Sequence, residues 1–172
     1  NAKDKCSAVT SGANDGSGYD ITLVATDEIT GVAGMTLTAG LSSVDQDGAV
    51  AGYDGDKDEW TVALTYAMGA FTVGYQMSEE DLGTTSGAQE YANDGYGITF
   101  AVNDDLSIGY NHYESDQTNT TNVSTEATSY QIAYTMGGAS VRLAHADVDN
   151  AKYQTAASYD QKATTISVAL AF

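Results

Sequence analysis

The stretch T-T-I-S-V-A-L-A-F, residues 164–172, narrows the fold to two classes of β-sheet protein. Its large apolar residues, Ile166, Val168, Leu170 and Phe172, alternate with small ones. Because successive side chains of a strand point to opposite faces, all four lie on the same face. In a globular sheet protein that face packs on a core, whereas in a membrane barrel it faces lipid and ends at an aromatic girdle.

The same alternation recurs along the chain and predicts nine antiparallel strands. Their lengths suit tilted strands that cross a hydrocarbon layer, which need roughly nine to eleven residues each. The sequence contains no proline, so ladder hydrogen bonds can run without interruption. The predicted strands are 19–27, 35–44, 59–68, 71–79, 95–102, 106–114, 129–136, 140–148 and 163–172.

Composition excludes two other classes of protein. An apolar content of 42% is too high for a fully disordered chain. No run approaches the roughly 18 consecutive apolar residues of a membrane helix. The single cysteine, Cys6, cannot form an internal disulfide, and we interpret it as incidental.

The connections between the predicted strands are of two alternating kinds. Short ones lie at 68–70, 103–105 and 137–139, and each is followed by a longer one. The longer connections, rich in Asp, Asn, Gly, Ser and Thr, lie at 45–58, 80–94, 115–128 and 149–162. Tight turns on one rim and extended loops on the other are typical of an up-and-down outer-membrane barrel.

The two faces of the predicted strands differ in chemistry. One face is apolar and aromatic, and the other carries small and polar residues. Aromatic residues on the apolar face, near the predicted strand ends, suit an interfacial belt: Tyr66, Phe71, Tyr110, Tyr134 and Phe172. A soluble β-sandwich also alternates, but its outer face usually carries Lys and Glu. These strands carry almost none, which favours the barrel.

With these features the chain resembles the C-terminal portion of an alphaproteobacterial, Rhodobacter-like general diffusion porin. The resemblance covers about residues 19–172. It rests on hairpins such as Y-A-M-G-A-F-T-V-G-Y (66–75) and Y-T-M-G-G-A-S-V (134–141), the acidic loops and the terminal V-A-L-A-F. It implies a transmembrane antiparallel β-barrel in the outer membrane of a Gram-negative bacterium, forming a water-filled pore for passive diffusion of ions and small hydrophilic solutes.

The resemblance also implies partners. Porins of this family form homotrimers and contact outer-membrane lipid and lipopolysaccharide. We expect neither a nucleic-acid partner nor an enzymatic activity.

The strand count bears on the size of the barrel. Nine strands are an odd number, whereas single-chain bacterial barrels normally have an even one. Each strand with its connection takes about 19 residues, so a sixteen-stranded porin would need roughly 306, and we expect this chain to be its C-terminal part. Residues 1–18 would then be a remnant of an extracellular loop, and 19–172 the barrel portion.

The alternative is a small closed barrel of residues 35–172, acting as a surface adhesin or structural protein. Its small inward side chains would leave the interior unfilled, which favours the wide pore.

Six residues on the small, polar face are predicted to line the pore: Thr65, Gln76, Thr99, Asn111, Gln131 and Arg142. A wall of mostly small side chains holds solutes weakly, as passive diffusion requires. Arg142 is the only basic residue within a predicted strand, so it is the candidate for a wall charge at a constriction. The alternative is an arginine near the rim, paired with a local Asp. The formal charge of -18 predicts a preference for cations at the pore mouth.

The acidic stretch D-G-D-K-D-E, 54–59, imitates the start of a calcium-binding loop. Glu59 and Thr65 stand where an EF-hand needs Gly and Glu, so it is not an EF-hand. Asp54, Asp56 and Asp58 remain weak candidates for binding calcium at an extracellular loop, with a solvated acidic loop as the alternative. No other metal or cofactor is predicted.

His112 and His145 fall on the apolar face, and we interpret them as interfacial. His112 lies near Ser115 and Asp116 in sequence, and a Ser beside a His is the minimum for nucleophilic catalysis. Such spacing is a weak signal in a chain with this much Ser and Asp, so we predict no catalytic residue.

Overall fold

The computed structural model describes residues 17–46, 52, 55–119 and 121–170. Within that part the chain forms nine strands, one helical turn α1 (Asp27–Thr30) and two 3-10 turns (Ala151–Tyr153 and Ala157–Tyr159). The strands are β1 (Gly18–Ala25), β2 (Met35–Val44), β3 (Lys57–Met68), β4 (Phe71–Asp81), β5 (Glu90–Ala101), β6 (Leu106–Thr118), β7 (Val123–Met136), β8 (Ala139–Asp149) and β9 (Gln161–Leu170). Cys6, Asp54 and Phe172, to which the sequence assigns roles above, lie outside the described residues.

The nine described strands form one antiparallel sheet in which every strand pairs with its neighbours in the chain, from β1 to β9. The predicted all-β, up-and-down arrangement is therefore confirmed. In the described part of the chain, no ladder joins β1 to β9, so both are edge strands of the sheet. No helix of the described residues has the length and apolar character needed to cross a membrane.

Six of the nine described strands are longer than predicted. The largest differences, four to six residues, are in β5, β6 and β7, and the loops at 80–94 and 115–128 are correspondingly shorter. β5 begins at Glu90, β6 continues to Thr118 and β7 begins at Val123, so only 119–122 connects β6 to β7. The prediction of a long loop at 115–128 is therefore wrong. These extensions are mostly polar on both faces, so they lack the apolar alternation, yet their backbones pair in register from Glu114↔Glu126 to Gln117↔Val123.

The three predicted tight turns are present and have local causes. Gly69 and Gly137 adopt φ of 60° and 57° at the first position of two-residue hairpin connections, a conformation that glycine adopts without steric cost. In the β5–β6 turn, the Asn103 side-chain oxygen accepts hydrogen bonds from the backbone N–H groups of Asp105 and Leu106, both at 2.9 Å. These turns set the register of each hairpin.

The sheet is a single layer without a buried core. Among the described residues, only Ala25, Gly83 and Ser115 are buried, and Ala25 and Ser115 have 8% and 2% of their surface exposed. Large apolar side chains such as Ile166, 70% exposed, have no covering layer. A β-sandwich buries the corresponding face between two sheets. The described sheet has no such second layer.

Candidate pore wall

The ladders place most of the large apolar side chains of the described strands on one face of the sheet. A single line of ladder partners illustrates this, running from Met68 through Phe71, Phe100, Ile108, Ile132 and Leu143 to Ile166. Each of these residues has both sequence neighbours on the other face. We call this surface the apolar face, and the opposite one the polar face.

The apolar side chains form a band that crosses the ladders obliquely. Trp60 is the last apolar-face residue of β3 on the loop side, yet its line of partners continues into polar residues, through Glu79 and Ala92 to Asp116. The corresponding last apolar residue of β9, Ile166, lies on the line that meets β3 at Met68. The loop-side edge of the band therefore shifts towards the tight turns between β3 and β9, by the distance that separates Trp60 from Met68 along β3.

The displacement gives the tilt of the strands relative to the band. The loop-side edge of the band shifts by about eight residues along the strand direction while it crosses about six strands. With a rise of about 3.3 Å per residue and about 4.8 Å between strands, this shift corresponds to an angle of roughly 40°. Strands of closed barrels tilt by about 35–45° against the barrel axis. The band therefore crosses the strands at an angle within the range of those strand tilts.

Aromatic side chains cluster within this band. Phe71 stacks on Phe100 with ring centroids 4.5 Å apart, close to the tight turns. Towards the loops, Tyr110 lies between Tyr96 and Tyr130, at centroid distances of 6.2 and 5.1 Å. Tyr110 is an interior residue of β6 rather than a terminal one, because β6 continues to Thr118. Aromatic residues thus flank the aliphatic part of the band on both sides.

His112 and His145 lie on the loop side of the apolar face, as predicted. His112 Nδ1 hydrogen-bonds with Thr128 Oγ1 at 3.3 Å, and His145 Nδ1 with Thr164 Oγ1 at 2.8 Å. Ser115 lies on the opposite face from His112, because the two are an odd number of residues apart in one strand. The Ser–His proximity that the sequence suggested is therefore not formed.

All six predicted pore-lining residues lie on the polar face. Four of them, Thr65, Gln76, Thr99 and Asn111, share a shallow depression of about 380 Å³ over β3 to β6. Gln131 and Arg142 lie outside it. Part of the floor of the depression is formed by Gly74 and Gly97, which are direct ladder partners and carry no side chain.

Two amide side chains lie flat against this wall. A Cβ atom at Gly97 would overlap Asn111 Oδ1, and one at Gly109 would approach Gln131 Cγ at 3.1 Å. Each glycine therefore provides the space that an amide side chain of the neighbouring strand occupies. Lying flat, Asn111 and Gln131 present hydrogen-bonding groups while adding little thickness to the wall.

Arg142 occupies the polar face close to the tight-turn end of β8. Its ladder partners are Ala133 and Ser167, and its side chain is exposed. The ion pairs within the described residues involve Lys57 and Lys162, and none of them involves Arg142. Arg142 thus lies near the tight-turn end of its strand, and no pairing with a local Asp is found in the described part. Its role as a wall charge or as a rim residue stays a prediction.

The loop-side end of the polar face carries a charge cluster that the sequence analysis missed. Lys57 Nζ lies 2.6 Å from Glu59 and 2.5 Å from Glu80, which are ladder partners on adjacent strands. Ser42 donates a hydrogen bond to Glu59 at 3.3 Å. Lys57 lay in a predicted loop, so only the observed start of β3 places it on the wall.

A second missed feature is a hydrogen-bonded group around Ser115 on the polar face. Ser115 Oγ donates to Asn93 Oδ1 at 2.5 Å, and Tyr153, from the connection between β8 and β9, has its hydroxyl 2.6 Å from Ser115 Oγ. Burial is the main cause that raises the pKa of Tyr153 above its ordinary value. The sequence carries no signal for this contact, since the two residues are 38 positions apart.

The remaining calcium candidates, Asp56 and Asp58, line a depression at the loop-side rim together with Asp81 and Glu90. Among the residues for which coordinates are described, no group of three or more His, Cys, Asp or Glu side chains is arranged to hold a metal ion. Calcium binding stays a prediction.

Comparison with known proteins gives no relative for this chain: no family model, curated protein or solved structure matches it.

Proposed function

We propose that this chain forms part of the wall of an outer-membrane porin, a water-filled pore for passive diffusion of ions and small hydrophilic solutes. The observation that carries the proposal is the oblique apolar band. An uncovered apolar surface that extends over the strands of a single-layer sheet needs an apolar solvent or partner. A band inclined to the strands by roughly 40° is what a lipid layer requires of a barrel, because strand tilt and closure are linked.

The polar face supports the pore. Its glycine floor and flat amides at Asn111 and Gln131 offer weak contacts to a passing solute. A wall that bound solutes tightly would slow their exit, so weak contact is compatible with conduction. The mechanism we infer is sieving by size, with charge selection from Arg142 on one rim and the Lys57 cluster near the other.

The open edges of the sheet bear on the size of the pore. Backbone groups at the edges of β1 and β9 require partners in a membrane, where water does not satisfy them. Closing the nine strands on themselves would pair β1 with β9 in parallel, because odd-numbered strands run in the same direction. We therefore propose that further strands complete a barrel of about sixteen, in keeping with the resemblance to the C-terminal portion of a Rhodobacter-like porin. Homotrimer formation and contact with lipopolysaccharide belong to the same proposal.

One observation favours a second candidate, a surface adhesin or structural barrel. The β6–β7 hairpin continues beyond the apolar band as paired strand, from Glu114↔Glu126 to Gln117↔Val123. A rigid polar hairpin projecting from a membrane would suit recognition of another surface. An adhesin needs no conducting lumen, so conductance distinguishes the two candidates.

The test is reconstitution of the full-length protein into planar lipid bilayers, with liposome swelling as a second measurement. We expect stepwise conductance and permeation of small sugars. A protein that inserts into the bilayer without conducting would favour the adhesin. A protein that stays in solution without detergent and gives no conductance would overturn the membrane proposal.

A further inference from the structure

We propose that the connection between β8 and β9, residues 150–160, is a strap that is fixed across the polar face and narrows the loop-side entrance of the pore, with Tyr153 as its latch. This inference rests on the proposed function. All residues of the strap belong to the described part of the chain.

A chain of hydrogen bonds runs from the strap into the wall. Ser115 Oγ donates to Asn93 Oδ1, so its own oxygen is free to accept the hydroxyl proton of Tyr153 at 2.6 Å. Asn93 Oδ1 also accepts from Tyr113 at 2.6 Å, and Asn93 Nδ2 donates to Ser78 Oγ at 3.3 Å. One tyrosine of the strap is thereby linked to β6, β5 and β4.

The backbone of the strap is held by β7. Thr125 Oγ1 donates to the Asn150 carbonyl at 2.8 Å and lies 3.3 Å from the Tyr153 backbone N–H, which donates to it. Asn150 Nδ2 donates to the Ser124 carbonyl at 3.1 Å. These contacts hold a backbone that residues other than glycine rarely adopt, with φ of 54° at Asn150, 61° at Lys152 and 56° at Tyr153. Such a conformation persists where its surroundings specify it.

Burial shows how closely the strap covers the wall. Ser115 is 2% exposed, the lowest value among polar residues of the described chain, although it stands on an otherwise open face. The Tyr153 ring lies against that of Tyr91, with centroids 5.3 Å apart. A tyrosine hydroxyl is protonated at neutral pH, and burial raises the pKa of Tyr153 further, so it remains a hydrogen-bond donor. The strap therefore occupies space in front of β5, β6 and β7.

The position of the strap on the sheet shows which part of the proposed pore it would narrow. Ser115 and Tyr91 lie near the loop-side ends of β6 and β5, and Ser78, Asn93 and Tyr113 line the edge of the glycine-floored depression. The strap thus stands at the loop side of that depression. A solute entering from the loops would meet the strap before it reaches the open wall.

The experiment compares full-length wild type with Tyr153→Ala, Tyr153→Phe and a control, Tyr159→Phe, in planar bilayers and swelling liposomes. Tyr159 belongs to the same strap, and its side chain makes no hydrogen bond to a described residue. We expect Tyr153→Ala to raise conductance and the permeation of larger sugars relative to small ones, Tyr153→Phe to do so less, and the control to match wild type.

Hydrogen exchange of residues 150–160 in detergent gives a second readout that does not depend on conduction. Thr125→Val removes both hydrogen bonds of Thr125 Oγ1, so exchange at the Tyr153 amide should accelerate by at least about fivefold. A conducting wild type whose Tyr153→Ala variant keeps the same conductance and sugar selectivity would overturn the strap and leave the pore standing. A wild type that conducts nothing would overturn the pore and the strap's role in it.

Discussion

Asn111 lies across Gly97 of the neighbouring strand, in the space that any other side chain at position 97 would fill. The two are direct ladder partners, and Asn111 Nδ2 donates to Ser129 Oγ at 3.5 Å on its other side. The glycine thus sets where an amide of the wall rests. The amide in turn sets how far the wall reaches into the proposed lumen.

Gly97→Ala should turn Asn111 away from the wall. The atom that would be displaced is the far end of a flexible side chain, so we expect a loss of about 1 kcal/mol in the free energy of unfolding, mostly from weakened hydrogen bonding. Conductance should fall slightly as the amide enters the lumen. Denaturant unfolding in lipid vesicles and single-channel recording measure the two effects.

Gly34→Ala is the contrasting variant. Gly34 has a φ of 79°, and a Cβ atom there would overlap the carbonyl oxygen of Ala67, which cannot move aside without shifting β3. Strain of this kind costs about 1–3 kcal/mol per residue before the overlap is relieved. We expect Gly34→Ala to destabilise the fold more than Gly97→Ala. Equal stability of the two variants would contradict the packing described for both glycines.

Ile132→Lys tests which face meets lipid. Ile132 lies in the middle of the apolar band, between Ile108 and Leu143. A lysine at the lipid midplane of a barrel costs about 2–4 kcal/mol, so insertion into vesicles should be strongly impaired. The matched control is Gln131→Lys, one residue away on the polar face, which we expect to insert normally. The measurement is the folding yield of each variant, read from its heat-modifiable electrophoretic mobility. Equal yields for Ile132→Lys and Gln131→Lys would count against the assignment of faces.

Arg142→Ala tests the wall charge near the tight-turn rim. Arg142 is exposed on the polar face and has no carboxylate partner within the described residues. Removing a positive charge from a lumen should shift the reversal potential in a salt gradient towards cations. Arg142→Lys should retain the selectivity of wild type. An unchanged reversal potential in Arg142→Ala would remove Arg142 from the selectivity mechanism.

Lys57→Met tests the loop-side charge cluster. Without the ammonium group, Glu59 and Glu80 would face each other directly as like charges on paired strands, which is destabilising. Because the three side chains are partly exposed, we expect a loss of at most about 1 kcal/mol, smaller at high salt. Adding Glu80→Gln to Lys57→Met should restore most of the stability in denaturant unfolding. If the double variant is less stable than Lys57→Met, repulsion is not the cause.

The strand order and the two faces followed from the sequence, because a strand alternates its side chains whatever lies around it. The period of two at Ile166, Val168 and Leu170, and the turn residues Gly69 and Asn103, are local features. Local features suffice for strands and hairpins. They also placed Asn111 and Arg142 on the polar face.

The tertiary structure alone decided the lengths of β5 to β7, the tilt of the apolar band and the docking of Tyr153. Polar segments such as 114–118 enter the sheet because a neighbouring strand pairs with their backbone, which no side-chain pattern records. The tilt depends on the register of six successive ladders taken together. Tyr153 meets Ser115 only after β6, β7 and β8 have assembled, since the contact joins residues 38 positions apart. Side-chain alternation is a property of each residue's own backbone, whereas register and docking are properties of pairs distant in sequence.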